Sequence, residues 1–258
     1  MMTKPILQVH HLTKSFGKKN DNFIAVDDVS FNLYRGEILG IIGESGSGKS
    51  TIAKLITRLL PADKKSQIIL DDEDITNING NQLKAIYKKI QMIFQQPQES
   101  FDPRKTLQDS LIEPMINHGM NKMQIKNLLK ELLAKVNLAE SILRRYPHQV
   151  SGGQCQRAGI ARAICLNPKI LICDEATSAL DVTVQKQILE LLLHLKQELN
   201  LSIIFICHDI ALVQKICDRV IVLKQGKIIE SGITSQIIKN PQKNYTKNLI
   251  DCAIFKKA

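Results

Sequence analysis

One octapeptide constrains this chain more than any other stretch. Gly43-Glu44-Ser45-Gly46-Ser47-Gly48-Lys49-Ser50 fits the pattern G-x-x-x-x-G-K-[ST]. The apolar run 37–42 ahead of it predicts a buried strand, and Thr51–Ile56 behind it predicts a helix. Strand, loop and helix in that order are the setting a phosphate-binding loop requires. Glycines at 43, 46 and 48 let the backbone turn its N–H groups inward with no Cβ in the way, at a helix N-terminus where the dipole favours negative charge. Lys49 can then reach the β- and γ-phosphates of a nucleotide, and the Ser50 hydroxyl can ligate Mg²⁺.

A second glycine-rich element, Ser151-Gly152-Gly153-Gln154, precedes the apolar run Ile170–Cys173 that closes on Asp174 and Glu175. One nucleotide needs one cradle. A second cradle of a different type implies that two copies of the chain, or this chain and a relative, close around shared ATP. Asp174 should end a buried parallel strand, where its carboxylate can hold the Mg²⁺ shell through water. Glu175, one residue on, points elsewhere and is the candidate to take a proton from attacking water, a role worth typically ~10²–10⁴ in rate.

Taken together these elements resemble the ATP-binding subunit of an ABC transporter, and the likeness covers nearly the whole chain. It implies an α/β fold: a P-loop cassette with a RecA-like core, an antiparallel β subdomain and an inserted helical subdomain, using ATP and Mg²⁺. In that likeness Phe16 stacks on adenine, a contact worth ~1–3 kcal/mol where bases have been tested. Residues Gly43, Glu44, Ser45, Gly46, Ser47, Gly48, Lys49, Ser50 and Thr51 hold the triphosphate. Ser151, Gly152, Gly153 and Gln154 form the signature loop, which meets the γ-phosphate held by the opposite subunit. Ser50, Gln95 and Asp174 serve Mg²⁺, Gln95 being the Q-loop glutamine that senses metal and water and links to the membrane partner. Glu175, His208, Gln95 and Lys49 form the catalytic set, with His208 as the switch histidine against the γ-phosphate. Ser178, Ala179, Leu180 and Asp181 match the D-loop of the dimer interface. Taken singly, Phe16 reads as core and His208 as a hydrogen-bonded structural histidine; five aligned motifs in family order reverse both readings.

A narrower likeness rests on the stretches 95–104 and 240–246, the latter containing Tyr245 and Thr246. Both resemble the peptide and nickel importer branch, whose ATPases usually work as unlike pairs. The likeness therefore implies a second ATPase subunit, non-identical or a copy of this chain, together with two membrane permeases and a solute-binding protein at the cytoplasmic face of the membrane. There are departures. Lys243-Asn244 stands where the branch has histidine-proline, and Gln96 where it has aspartate. Several relatives carry a cysteine-bearing tail, whereas only Cys252 lies among the 13 residues after Tyr245 here (258 − 245), so no cluster or metal site is expected in that stretch. Cys155 replaces a long polar residue beside the signature, and two readings stay open: thiol reagents slow turnover with ATP protecting, or the thiol is semi-buried and unreactive.

Charge and composition narrow the alternatives. Lys and Arg exceed Asp and Glu by 35 − 25, a formal +10, but the lysines are scattered in ones and twos and aromatics are only 4%. A basic surface without an aromatic array does not favour specific nucleic-acid binding. No apolar run approaches the ~18–20 residues a membrane-spanning helix needs, and no leader is visible in residues 1–25, so a cytoplasmic, peripheral protein is expected. Six cysteines without a C-x-x-C read as reduced small hydrophobes. Rival readings are a soluble ABC ATPase acting on cluster assembly or nucleic acid, and an exporter subunit for peptides or polyamines.

Periodicity gives the layout. Strand-like pieces fill residues 6–42, broken by a polar turn at 18–22, and residues 67–94 add more strand and a short helix. Strand patterns then vanish from about 97 to 165, where four of the eight prolines fall. Strand and helix alternate again from 169 to 223, as in a parallel sheet. One cassette over 1–258 is expected: core and β subdomain at 1–94 and 166–230, helical subdomain at 95–165, and a C-terminal helical segment at 231–258.

Overall fold

The computed structural model describes residues 4–17, 23–176 and 180–255, and forms two compact units, residues 1–87 with 202–258 and residues 88–201. The polar turn at 18–22, with Ser178 and Ala179, lies outside the described residues.

In the first unit, β1 (Pro5–Phe16) and β2 (Phe23–Tyr34) pair antiparallel, and β1 also takes β4 (Gln67–Leu70), followed by the short β5 (Glu73–Asp74), giving the order β2-β1-β4-β5. A second set of strands reads very differently. All five residues of β3 (Ile38–Ile42) and all five of β8 (Ser202–Ile206) are buried, the mark of strands covered on both faces. They lie parallel with Ile38 opposite Ile203, and β3 is also parallel to β9 (Arg219–Lys224). Each Ile, Leu or Val so enclosed contributes about 1.5–3 kcal/mol of transfer free energy.

The hairpin partner of β9 is β10 (Lys227–Ile233), antiparallel, so the run is β10-β9-β3-β8. Its turn uses Gln225 and Gly226, both at positive φ (47° and 78°), the requirement of a tight two-residue hairpin. The hairpin carries extended chain to Ile233, and the C-terminal helices α8 (Thr234–Lys239) and α9 (Asn244–Phe255) start after it. The sequence had placed helix from 231; the β9 pairing of Ser231, Gly232 and Ile233 takes those three residues into the sheet. Helix α1 (Lys49–Ile56) leaves the end of β3, α7 (Ile210–Ile216) links β8 to β9, and α2 (Gly80–Lys89) spans the position at which the two units divide.

In the second unit, β6 (Ile90–Ile93) runs parallel to β7 (Ile170–Asp174). Three helices begin with reciprocal capping boxes: α3 (Leu107–Asn117) on Thr106 and Asp109, α4 (Lys122–Lys135) on Asn121 and Gln124, and α5 (Gly152–Ile164) on Ser151 and Gln154. Each box satisfies two orphan N–H groups from residues three apart, so the starts are dictated locally. Helix α6 (Val182–Leu199) buries Ile188, Leu191, Leu192 and Leu195, the apolar stripe expected from 3.6-residue spacing. Arg162 joins the helical stretch to the turn at 98–101. Its guanidinium donates to Ser100 O at 2.7 Å and Oγ at 3.0 Å, and lies 4.2 Å from the Phe101 ring centroid.

Candidate functional site

The loop 43–48 begins where β3 stops and ends where α1 starts. Gly43, Gly46 and Gly48 all sit at positive φ (155°, 77° and 102°). Space makes two of them irreplaceable. A Cβ on Gly43 would lie 2.3 Å from Leu223 O, and one on Gly48 2.4 Å from Ala25 O. The loop is thus clasped between the β9 end and β2, a bond from Gly226 N to Ser47 O (3.0 Å) closing it further. Lys49 is buried and donates to Gly43 O (2.9 Å), Glu44 O (2.8 Å) and Ser47 Oγ (3.4 Å). A buried ammonium has to be paired, and here the loop's own oxygens keep its charge inside the cradle. Glu44, Ser45 and Gly46 are exposed, while Ser50 and Thr51 open the helix, half-buried.

Two further groups flank this loop in the first unit. Tyr245, in the first turn of α9, accepts the Glu44 N–H and donates to Leu223 O, both at a long 3.4 Å. Lys224 Nζ lies 4.6 Å from its ring centroid. The turn before α9 is pinned by Glu230, whose carboxylate accepts the N–H groups of Gln242 (2.8 Å) and Lys243 (3.2 Å). The sequence marked Tyr245 only as a family likeness and assigned it no contact with the loop. Phe16 ends β1 opposite Phe23, 41% exposed, with Lys14 Nζ 5.5 Å from its ring centroid. His208 is exposed just beyond β8, ahead of Asp209, which caps α7.

The second unit carries the acidic pair. Asp174 is the buried last residue of β7. Glu175 follows at φ 48°, a left-handed conformation that costs a non-glycine residue about 1–2 kcal/mol. Its Oε2 accepts a 2.7 Å hydrogen bond from Gln95 Nε2, so two residues 80 positions apart are brought together just beyond the parallel pair β6 and β7. The candidate base is thereby oriented by the candidate metal sensor.

The signature residues occupy the tip of α5. Ser151 Oγ accepts the Gln154 N–H (3.2 Å) and Gln154 Oε1 accepts the Ser151 N–H (3.1 Å). Ser151, Gly152 and Gln154 are exposed, so the helix presents a solvent-facing N-terminus that attracts anions. Gly153 is small for a packing reason: a Cβ there would lie 2.7 Å from Val184 Cγ1 of α6. Leu180 is half-buried, and Asp181 caps α6 by accepting the Val184 N–H at 2.9 Å.

Cys155 takes the unreactive of its two readings. It is fully buried, and burial pushes its thiol up to about 11 despite the opposing pull of Arg162. A thiol neither accessible nor ionised is a poor nucleophile, so the reading in which thiol reagents slow turnover and ATP protects is withdrawn. Of the six cysteines only Cys252, on α9, is exposed. A chromogenic disulfide reagent is accordingly expected to titrate one thiol rapidly in the native protein and six in denaturant, with ATP making no difference to the fast phase. Two or more fast thiols would contradict the packing around Cys155.

A glycine-built phosphate cradle after a parallel strand, with an acidic pair closing another, defines a P-loop nucleotide hydrolase. Residues 26–178 match the family described as ABC transporter. The chain is 42% identical over 256 residues to the oligopeptide transport ATP-binding protein OppF of Haemophilus influenzae, an alignment covering 95% of this chain and 77% of that one. It is 46% identical over 237 residues to the corresponding protein AppF of Bacillus subtilis, covering 91% and 72%. The dimeric post-hydrolysis structure of the ATP-binding cassette MJ0796 bound to ADP and Pi superposes with a TM-score of 0.80 at 29% identity, covering 88% of this chain and 98% of that one. This chain belongs to the ABC transporter family, as one of its ATP-binding cassettes. Its reaction is the hydrolysis of ATP to ADP and phosphate. Among the described residues no helix is long and apolar enough to cross a membrane.

Proposed function

We propose that this chain is the ATP-hydrolysing subunit of a peptide importer, resident at the cytoplasmic face of the membrane and paired with a second cassette, in the first place an unlike relative. Two permease subunits and a solute-binding protein complete the assembly. The observation that carries the reading is the Gln95–Glu175 hydrogen bond, which orients a carboxylate on a strained turn, in a chain that also keeps a complete phosphate cradle. Likeness to oligopeptide transport ATP-binding proteins over more than nine-tenths of the chain supports the cargo class.

In this proposal Lys49 and the loop 43–51 bind the triphosphate, and Phe16 stacks on the base. Ser50 and Asp174, a hydroxyl and a buried carboxylate, form the hard oxygen donor set that suits Mg²⁺, with Gln95 as a further ligand. When bound, the metal neutralises charge on the β- and γ-phosphate oxygens. Glu175 takes the proton from the attacking water while His208 holds the γ-phosphate, and Ser151 to Gln154 of the second cassette seal the nucleotide. Sealing is favoured only while the γ-phosphate is present; hydrolysis removes that differential binding and lets the pair reopen. Ser178, Ala179, Leu180 and Asp181 are assigned to the interface with the second cassette, and the Gln95 region to the permease.

The test is biochemical. Tagged chain purified from solubilised membranes of the source cells should bring polytopic permeases with it, and cells carrying only Glu175→Gln should lose uptake of a radiolabelled oligopeptide. Recovery with nucleic acid in a salt-sensitive manner and without permeases, or unchanged peptide uptake in that strain, would overturn the proposal.

A further inference from the structure

We propose that Gln156 is a positioning residue for the reaction: it ties the signature helix to the turn that carries the base, so that the placement of Glu175 depends on α5. The inference rests on Glu175 acting as base. Gln156 is 1% exposed, and its Nε2 donates to Ala176 O at 2.6 Å. Ala176 is itself buried and directly follows Glu175. The amide oxygen of Gln156 has no hydrogen-bond partner among the described residues. This buried amide is therefore held, among the described residues, by its donor end. The one group that Gln156 is shown to serve among them is that carbonyl.

The geometry gives the bond its consequence. Ser151, the cap of α5, and Gln156 are five residues apart on a single helix, roughly 7 Å along its axis at 1.5 Å per residue. A helix moves as a unit over that length. Any displacement of its tip reaches the Ala176 carbonyl through a short, enclosed hydrogen bond. The peptide after Glu175 then shifts, and with it the left-handed turn (φ 48°) that aims the carboxylate at Gln95. Gly153 adds stiffness, since α5 and α6 meet there at a distance that leaves no room for a Cβ. Contact made by the signature tip is in this way conveyed to the chain's own base. Gln156 touches neither nucleotide nor water in this scheme; it acts through Glu175.

Two substitutions test it in the complete protein with its ATPase partner. Gln156→Leu keeps volume and removes the donor. It is expected to lower kcat about tenfold while the Kd of a fluorescent ATP analogue stays within about twofold, the pattern of an interaction used in the transition state only. Combined with Glu175→Gln, it should cost less than about twofold more, because residues acting as one unit are not additive. Gln156→Glu donates to Ala176 O only when protonated. Burial raises such a carboxyl, so its turnover should be near normal at low pH and fall, relative to the parent, as pH rises. A rise in KM with unchanged kcat, the same fold loss in both the parent and the Glu175→Gln background, or a pH profile for Gln156→Glu parallel to the parent would each overturn the assignment. If instead Glu175→Gln alone turns over normally, the base assignment fails, and the tether fails with it for a separately visible reason.

Discussion

Glu175→Gln is expected to bind ATP as the parent does and to lose turnover by a factor on the order of 10² or more. The substitution is isosteric. The new amide can rotate its oxygen toward Gln95 Nε2 and keep the 2.7 Å hydrogen bond, so the turn at φ 48° needs no adjustment. What disappears is the ability to accept a proton from water. With γ-phosphate intact, the signature tip of a second cassette keeps its hold, and the variant should accumulate as an ATP-dependent dimer. Light scattering with and without ATP reads the dimer, and phosphate release reads the rate. Near-normal phosphate release would move the base to another residue.

Gly48→Ala should be, with Gly43→Ala, among the most damaging single methyls in the described residues. Its φ of 102° already strains an L-residue, and the added Cβ would stand 2.4 Å from Ala25 O, a backbone atom of β2 that has no side-chain freedom to yield. Left-handed strain of about 1–2 kcal/mol together with overpacking of about 1–3 kcal/mol gives a loss on the order of 3 kcal/mol. For a chain of this size that lowers Tm by roughly 6–12 °C. Nucleotide affinity should fall more than tenfold, because relief of the clash requires the cradle itself to move. Gly46→Ala is the control. Gly46 has φ 77° but nothing within 4 Å of the Cβ position, so only the conformational cost applies. Thermal melting and nucleotide titration of the pair would separate the two causes. Equal melting of the two variants would show that the β2 contact does not constrain the loop.

The parts of the site that could be read from sequence are those set by spacing along the chain. Three glycines and a lysine within eight residues, between a strand-like and a helix-like run, mark a loop, and Asp174 closes a run of four apolar residues, Ile170–Cys173, of strand length. The capping boxes at Thr106, Asn121 and Ser151 belong to the same class, since each is complete within four residues. What sequence did not disclose depends on residues that meet only after folding. The Gln95–Glu175 hydrogen bond spans 80 positions, and that of Gln156 with Ala176 spans 20. Gln156 carries no sign in the sequence that sets it apart from other polar residues of α5; its burial beside Cys155 and Ala158 is visible only in the fold. The burial of Cys155 is hidden in the same way, since neither spacing nor likeness reveals that this face of α5 is covered. Tyr245 was legible as a motif and illegible as a contact, because 201 positions separate it from Glu44.

That last contact bears on how the protein can be handled in the laboratory. Surface helices such as α9 are customary places to append a dye, a tag or a reporter domain. Here the opening turn of α9 leans on the nucleotide loop through Tyr245 and is moored by Glu230. Modifications placed beyond Cys252 leave that mooring alone. Removal of the helix back to Asn244 takes away the side chain that touches Glu44 N and Leu223 O beside the loop.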